Sequence, residues 1–284
     1  MVAPLRRVVV KRPAEAFRSQ ATIEAQWQAL DYLSVPDLAK AGRDHDRFIA
    51  LITQAGGEAL NLPADDRTGL DSLYVHDPVL MTKGGAVIFQ TGKVARRGEG
   101  PAIEDAFHEW GIPILGSISG TGTAEAGDML WLDHNTLLVG RGFRTNPAGI
   151  QQLQVLVAPL GVSVISFDLA YWHGVNEVLH LQSFISLLDD NLAVVYRKLV
   201  PVAMYELLLD RGVEMIDVPD SEYDSMACNI LTIAPRQVVM VAGNPTTSAR
   251  IAAAGCSISE FDGSAICLPG SGGPTCLTRP ILRG

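Results

Sequence analysis

Apolar positions along the chain recur in one order: a stretch with helical spacing, a glycine, then a short run of aliphatic and β-branched residues. The copies are DRFIALITQAGGEALNL, IEDAFHEWGIPIL, QLQVLVAPLGVSVISF, AMYELLLDRGVEMIDV and SARIAAAGCSISEF, pivoting on Gly57, Gly111, Gly161, Gly212 and Gly255 at spacings of 54, 50, 51 and 43 residues. A helix stops readily at a residue that can adopt the left-handed conformation without a Cβ clash. The β-branched residues that follow favour an extended, buried segment. Between copies lies a second strand signal: GGAVIFQTG, NTLLVGRG, DNLAVVYR and RQVVMVAGN. Each unit therefore reads as strands plus one helix, a ββαβ repeat of α/β class.

Repeats of this length mean a solenoid, a propeller or an array of units. With five units, and an N-terminal run RRVVVKR that could complete the last one, closure into a five-bladed α/β propeller is expected, with residues 1–284 forming a single domain. The alternative is an ordinary α/β sandwich with evenly spaced helices. In a closed ring, residues from different repeats converge on one axial site.

Composition narrows the partners. A net charge of −9 argues against nucleic acid, whose phosphates call for a basic surface. An acidic chain is compatible with a cationic small substrate. The apolar run Val8 to Val10 is too short for a signal-peptide core or a membrane span. Four cysteines without a secretory signal imply reduced thiols and a cytoplasmic location, and no CxxC pair suggests a metal site.

The densest unusual segment is CLPGSGGPTCLTRPILRG, where Gly270, Gly272 and Gly273 precede Cys276. A cysteine on a backbone that turns this tightly is a candidate nucleophile, whereas Cys228, Cys256 and Cys267 have apolar surroundings and read as packing. A cysteine nucleophile needs a cation or base nearby and an acid for the leaving group. Among the histidines, His45 and His108 lie in polar helical stretches and His134 in a turn, so these read as surface groups. His180, at the start of LHLQSFISLLDD, is the better base. Glu125 and Asp128 flank Gly127 just before an apolar strand, where a carboxylate could clamp a guanidinium or orient a histidine. Asp77, inside a strand-like run, wants a cationic partner. Arg96 and Arg97 in KVARRGE and Arg144 in GRGFRTN follow strand signals and could hold a carboxylate bidentately.

Taken in order, VHDP, ARRGE, EAGD, RTN, LHLQS, SMACN and GGPTC make the chain resemble the guanidino-group modifying enzymes, the amidinotransferase or pentein superfamily, and within it the dimethylarginine dimethylaminohydrolases. The resemblance implies a five-bladed α/β propeller, in agreement with the repeat count. It implies that Cys276 attacks a guanidinium carbon, His180 serves as acid and base, Glu125 and Asp77 bind the guanidinium, Arg97 and Arg144 hold the substrate carboxylate, and Asp71 meets the α-amino group. Hydrolysis of an N-methylated arginine to citrulline and an alkylamine would then pass through an S-amidino cysteine, with no metal or organic cofactor. A homodimer is implied in the same way.

Two positions depart from the family pattern. Deiminases usually carry aspartate two residues after the histidine; Gln182 stands there, and losing that carboxylate is expected to leave room for N-methyl groups. His76 stands where the dimethylarginine branch usually has glutamate, and the tail CLTRPILRG looks closer to the deiminase and amidinotransferase branches. The rival readings are therefore an arginine deiminase or amidinotransferase with the same nucleophile and, from another class, a non-catalytic propeller that binds a macromolecule.

Overall fold

A computed structural model describes residues 2–284. They build five three-stranded sheets on one plan, a first strand antiparallel to a middle strand, a helical crossover, and a last strand parallel to the middle one. In chain order these blades are Val79–Thr82, Gly85–Ile88 and Ile114–Ser117; Met129–Asp133, Thr136–Arg141 and Ser163–Asp168; Ile185–Asp189, Leu192–Val195 and Glu214–Asp217; and Leu231–Ala234, Gln237–Val241 and Ser257–Phe261. The remaining blade joins the two ends of the chain: Arg279–Arg283 pairs antiparallel with Leu5–Val10, which pairs parallel with Glu58–Asn61.

The expected pentein propeller is thus present, with one change in how it closes. The last repeat's sheet, Leu231–Ala234, Gln237–Val241 and Ser257–Phe261, is complete without the N-terminal strand; the C-terminal strand returns to complete the blade that the N-terminus begins. Phe48, on the helix Leu38–Gln54 of that joined blade, packs at 4.8 Å on Phe261 of the blade next to it, so the seam at the chain ends is filled like the others.

Local chemistry accounts for the crossovers. The Asp37 and Asn146 side chains accept hydrogen bonds from Lys40 N and Gly149 N and so cap the helices Leu38–Gln54 and Pro147–Val157. Proline leads both Pro147–Val157 and Pro245–Ala253, where its missing N–H is no loss. Four pivot glycines, Gly111, Gly161, Gly212 and Gly255, do take positive φ at the helix ends. In the first repeat the left-handed residue is Gly56, not Gly57; at Gly57 a Cβ would fall 2.8 Å from Ile52, so close packing requires that glycine instead.

His45 also departs from expectation. It is buried on the face of Leu38–Gln54 that carries Ala41, Phe48 and Ile52, and burial pushes its pKa down to about 4. Cys228, Cys256 and Cys267 are buried as expected, and all four cysteines are free.

Candidate active site

Each blade's first strand is preceded by a turn, and the turns converge at one end of the axis. Asp77 sits two residues before Val79–Thr82, Glu125 and Asp128 just before Met129–Asp133, His180 before Ile185–Asp189, Asn229 before Leu231–Ala234, and Cys276 before Arg279–Arg283. Cys276, His180, Asp77, Asp71 and Arg144 all line one cavity of about 70 Å³ at that end. Residues scattered over more than 200 positions are therefore brought together by blade closure.

His180 is the most constrained of them. Its Nε2–H donates to Glu125 Oε2 at 2.9 Å, and its Nδ1 lies 3.9 Å from Asp77 Oδ1. A Cβ at residue 127 would lie 2.2 Å from Nδ1, so only glycine there admits the ring. Burial by itself disfavours the imidazolium, but the Asp128, Asp77 and Glu125 carboxylates outweigh it and raise the His180 pKa to about 9. Burial pushes the Asp128 carboxyl up to about 7, even with Oδ1 accepting from Leu181 N at 3.1 Å. The His180 charge pulls against that rise, and Asp77 and Glu125 favour the imidazolium alongside Asp128. Burial works against ionisation of Glu125 and Asp77 too; the His180 hydrogen bond and charge overcome it for Glu125, and the Arg96 charge does so for Asp77, leaving both well below the usual carboxylate range.

Cys276 is half-buried, the one cysteine with such access. Asn229 Nδ2 donates to its Sγ at 3.2 Å, while Asn229 Oδ1 accepts from Thr275 N at 3.0 Å, so one amide clamps both ends of the turn. The glycines before it wrap a ring: a Cβ at Gly270 or Gly272 would come within 2.2 or 2.4 Å of Tyr74, whose hydroxyl donates to Ile266 O. Burial pushes the Cys276 thiol up to about 12 and Asp77 adds to this, so without a cation beside it the sulfur rests as a thiol.

Not every expected residue falls where the sequence reading put it. Arg97 is exposed and lies off the cavity; the inward residue is Arg96, at the end of the short turn Val94–Arg96. Arg96 Nη1 donates to Asp77 Oδ2 at 2.6 Å and Nη2 to Glu99 Oε2 at 2.8 Å and Tyr74 O at 3.0 Å. Its donors are so occupied that it serves as the cationic partner of Asp77. Glu125, fully buried, does not line the cavity; it stands behind His180, its Oε2 holding the imidazole Nε2–H. Gln182 is corrected as well: its Nε2 donates to Met129 O and to His76 Nε2, and it lines a different cavity, so room beside the guanidinium does not come from its side chain.

Two contributors escaped the sequence reading. Lys93 Nζ pairs with Asp71 Oδ2 at 2.9 Å and donates to Leu30 O, and its backbone N–H donates to Glu125 Oε1 at 3.0 Å. Asn229 was visible only as part of SMACN. Arg144 sits 3.7 Å from Glu125 Oε1, with its backbone pressed on Gly92, where a Cβ would meet Arg144 O at 2.5 Å.

Ligand atoms of Asp77, Glu125 and His180 lie within 4.8 Å of one another, a spacing a metal ion could bridge. Their lone pairs are already committed to Arg96, Gly127 N, Lys93 N and each other, and the imidazolium supplies the cation. The cluster is built to hold a proton.

Comparison with known proteins gives the family and the fold. The family model described as arginine deiminase matches residues 71–216 and 200–283. An N(G),N(G)-dimethylarginine dimethylaminohydrolase of Pseudomonas aeruginosa is 31% identical over 234 residues, covering 82% of this chain and 85% of its own, and that of Streptomyces coelicolor is 27% identical over 265 residues, covering 91% and 93%. The solved structure of a cysteine-to-serine variant of the Pseudomonas enzyme complexed with citrulline superposes with a TM-score of 0.79 at 27% identity over 99% of this chain and 100% of that one. On the matched span and the shared fold, the chain belongs to the arginine deiminase family, within the pentein superfamily.

Proposed function

We propose that the chain hydrolyses a C–N bond of an N-omega-methylated arginine, giving citrulline and an alkylamine. One observation carries the reading: Cys276 shares a cavity with Asp77 and with an imidazolium locked by Glu125 at 2.9 Å. The names of the dimethylarginine hydrolases supply the substrate class.

The chemistry follows from the charges. A guanidinium docking against Asp77 brings a positive charge beside Sγ, which favours the thiolate that burial disfavours, and the thiol proton leaves to solvent. Sγ attacks the guanidinium carbon; as the C–N bond to the methylated nitrogen breaks, His180 transfers its Nδ1 proton to the departing amine, its Nε2–H staying on Glu125. The neutral imidazole then takes a proton from water, whose oxygen bonds to the same carbon. Expulsion of Sγ leaves the ureido product, and the protons restore the thiol and the imidazolium. In this reading Asp71 meets the substrate's ammonium end and Arg144 its carboxylate, both lining the same cavity as Cys276.

The test is incubation with arginine, monomethylarginine, dimethylarginine and agmatine, with assay of ureido product and amine. Dimethylamine release that vanishes in Cys276→Ser supports the reading; turnover retained in that variant ends it. The deiminase family match favours one rival, hydrolysis of arginine itself, in which ammonia is the amine produced.

The likeness also supports three lesser proposals. Residues 1–284 act as a single domain, the protein assembles as a homodimer, and it works in the cytoplasm, where a free Cys276 stays reduced. Among the described residues no helix is long and apolar enough to cross a membrane.

A further inference from the structure

The propeller axis carries a second, larger cavity of about 470 Å³ behind the first. All five blades contribute their first strands to it: Met81, Trp131, Leu187, Leu231 and Ile281 form apolar walls. Only the segment carrying His76 and Asp77 separates the two spaces at that point, with Asp77 facing the front cavity and His76 the rear.

The charges of this rear cavity do not balance. Arg279, 3% exposed, lines it and makes a single hydrogen bond to the described residues, from Nη2 to His76 O at 2.6 Å; its Nε has no partner. Arg283, also in the wall, donates to Ala3 O and Thr232 O, and its Nε likewise has no partner. Neither arginine forms a salt bridge among the described residues. Lys83 adds a third positive charge at the rim, while the one acid in the lining, Asp133, is paired with Arg211 at 2.9 Å. The one carboxylate whose charge reaches Arg279, Asp77, faces the front cavity, is bound to Arg96 at 2.6 Å and only partly offsets the burial; His76, against which Arg279 packs, donates from Nδ1–H to Thr278 O at 2.9 Å and accepts at Nε2 from Gln182, the hydrogen bonding of a neutral ring.

A buried guanidinium without an anion is costly unless a counter-charge is supplied. Here the unsatisfied donors meet a space of ordinary ligand size, apolar on its walls with a few converging polar groups. We propose that this rear cavity is a binding site for a small organic carboxylate, the anion received by Arg279 and Arg283 and its apolar body by Trp131, Leu187 and Ile281. Guanidinium donors suit a carboxylate because their planar fork matches its two oxygens. The site is separate from the proposed hydrolysis and does not depend on it.

The test uses benzoate as the probe and benzamide as its uncharged counterpart, followed by calorimetry on protein whose Cys276 has first been alkylated, so that the front cavity is closed. Benzoate is expected to bind saturably and benzamide roughly tenfold or more weakly, the worth of a charge-assisted bond over a neutral one. Arg279→Gln should abolish the preference. Leu282→Glu, at an exposed rim position that leaves the core untouched, should weaken benzoate by electrostatic repulsion while leaving benzamide unchanged. No saturable benzoate binding, equal binding of the two probes, binding lost on Cys276 alkylation, or a folded Leu282→Glu protein that binds benzoate unchanged would each overturn the proposal.

Discussion

The two ends of the propeller axis hold arginines of equal depth and opposite circumstance. At the front, Arg96 is 6% exposed and satisfied on every side by Asp77, Glu99 and the Tyr74 carbonyl; at the rear, Arg279 is 3% exposed and touches one carbonyl. Burial cost is similar for both, so the difference lies in the partners. The charges stand in opposite directions from their ordinary value: the Glu99 and Asp77 carboxylates hold Arg96 more firmly protonated, whereas burial drags Arg279 down to about 9. A closed network fixes the geometry that chemistry needs, and an open one leaves donors for something that comes and goes. This contrast also explains why Asp77 is ionised at the centre of the front site: Arg96 is spent on holding it so.

Substitutions can break the comparison at either end. The largest effect is expected at Arg96→Met, which strands Glu99 and Asp77 as buried acids; removing one partner of such a network costs about 3–5 kcal/mol, to be read as a lowered urea midpoint. A midpoint within experimental scatter of the parent would mean the front network is not what holds this end together.

Next comes Glu125→Gln, which keeps the shape around His180 but removes a carboxylate. Turnover should fall by roughly 100-fold, the usual worth of a positioned acid-base group. The pH profile discriminates orientation from mere packing. With His180 raised to about 9, activity that needs the imidazolium should hold through neutrality and fall as pH rises through about 9. In Glu125→Gln that basic limb should move toward neutral pH, because one of the charges raising the imidazole is gone. A limb that stays in place would remove Glu125 from the proton's environment. The same shift contributes stability that is fully present below the unfolded-state value of about 6.5 and lost as pH climbs through about 9.

Smaller still is Arg279→Met. Because the rear guanidinium lacks a counter-charge, replacing it with an apolar chain should leave stability unchanged to within about 1 kcal/mol or raise it, a sharp contrast with Arg96→Met. Smallest is Arg97→Ala, an exposed change expected to stay within about 0.5 kcal/mol and to leave turnover intact. Loss of activity in that variant would restore the arginine first read from the sequence.

What the sequence made legible follows from what repeats. Five helix–glycine–strand units were readable because the same local problem, ending a helix and starting a buried strand, is solved five times with nearly the same residues. Gly56 and Gly57 show the limit: two adjacent glycines serve two purposes, and only the backbone shows which one turns and which one is squeezed. Arg96 and Arg97 differ in the same way, since a three-residue turn has no period to tell inside from outside. The burial of His45 is legible in the periodicity, since it falls in register with Ala41, Phe48 and Ile52 on one helical face. Cys276, His180, Asp77 and Arg144 stood in recognisable motifs. Lys93 stood in none, and Asn229 stood in SMACN without a role, because their meaning depends on contacts with Asp71 and Cys276, and the Asn229 contact spans 47 positions. The rear cavity was not legible: His76 and Gln182 stood out as departures, but its walls are strand residues from all five blades, and no local pattern shows that they face one space.

The central claim is that a resting thiol at Cys276 becomes reactive only when a cation enters the front cavity. The direct measurement compares alkylation by 2-chloroacetamidine, a guanidinium mimic, with that by neutral chloroacetamide, mapping the label by mass spectrometry. Rapid labelling of Cys276 by the cationic reagent alone, with buried Cys267 untouched, is the expected result. Equal rates for the two reagents, or label on Cys267, would contradict it.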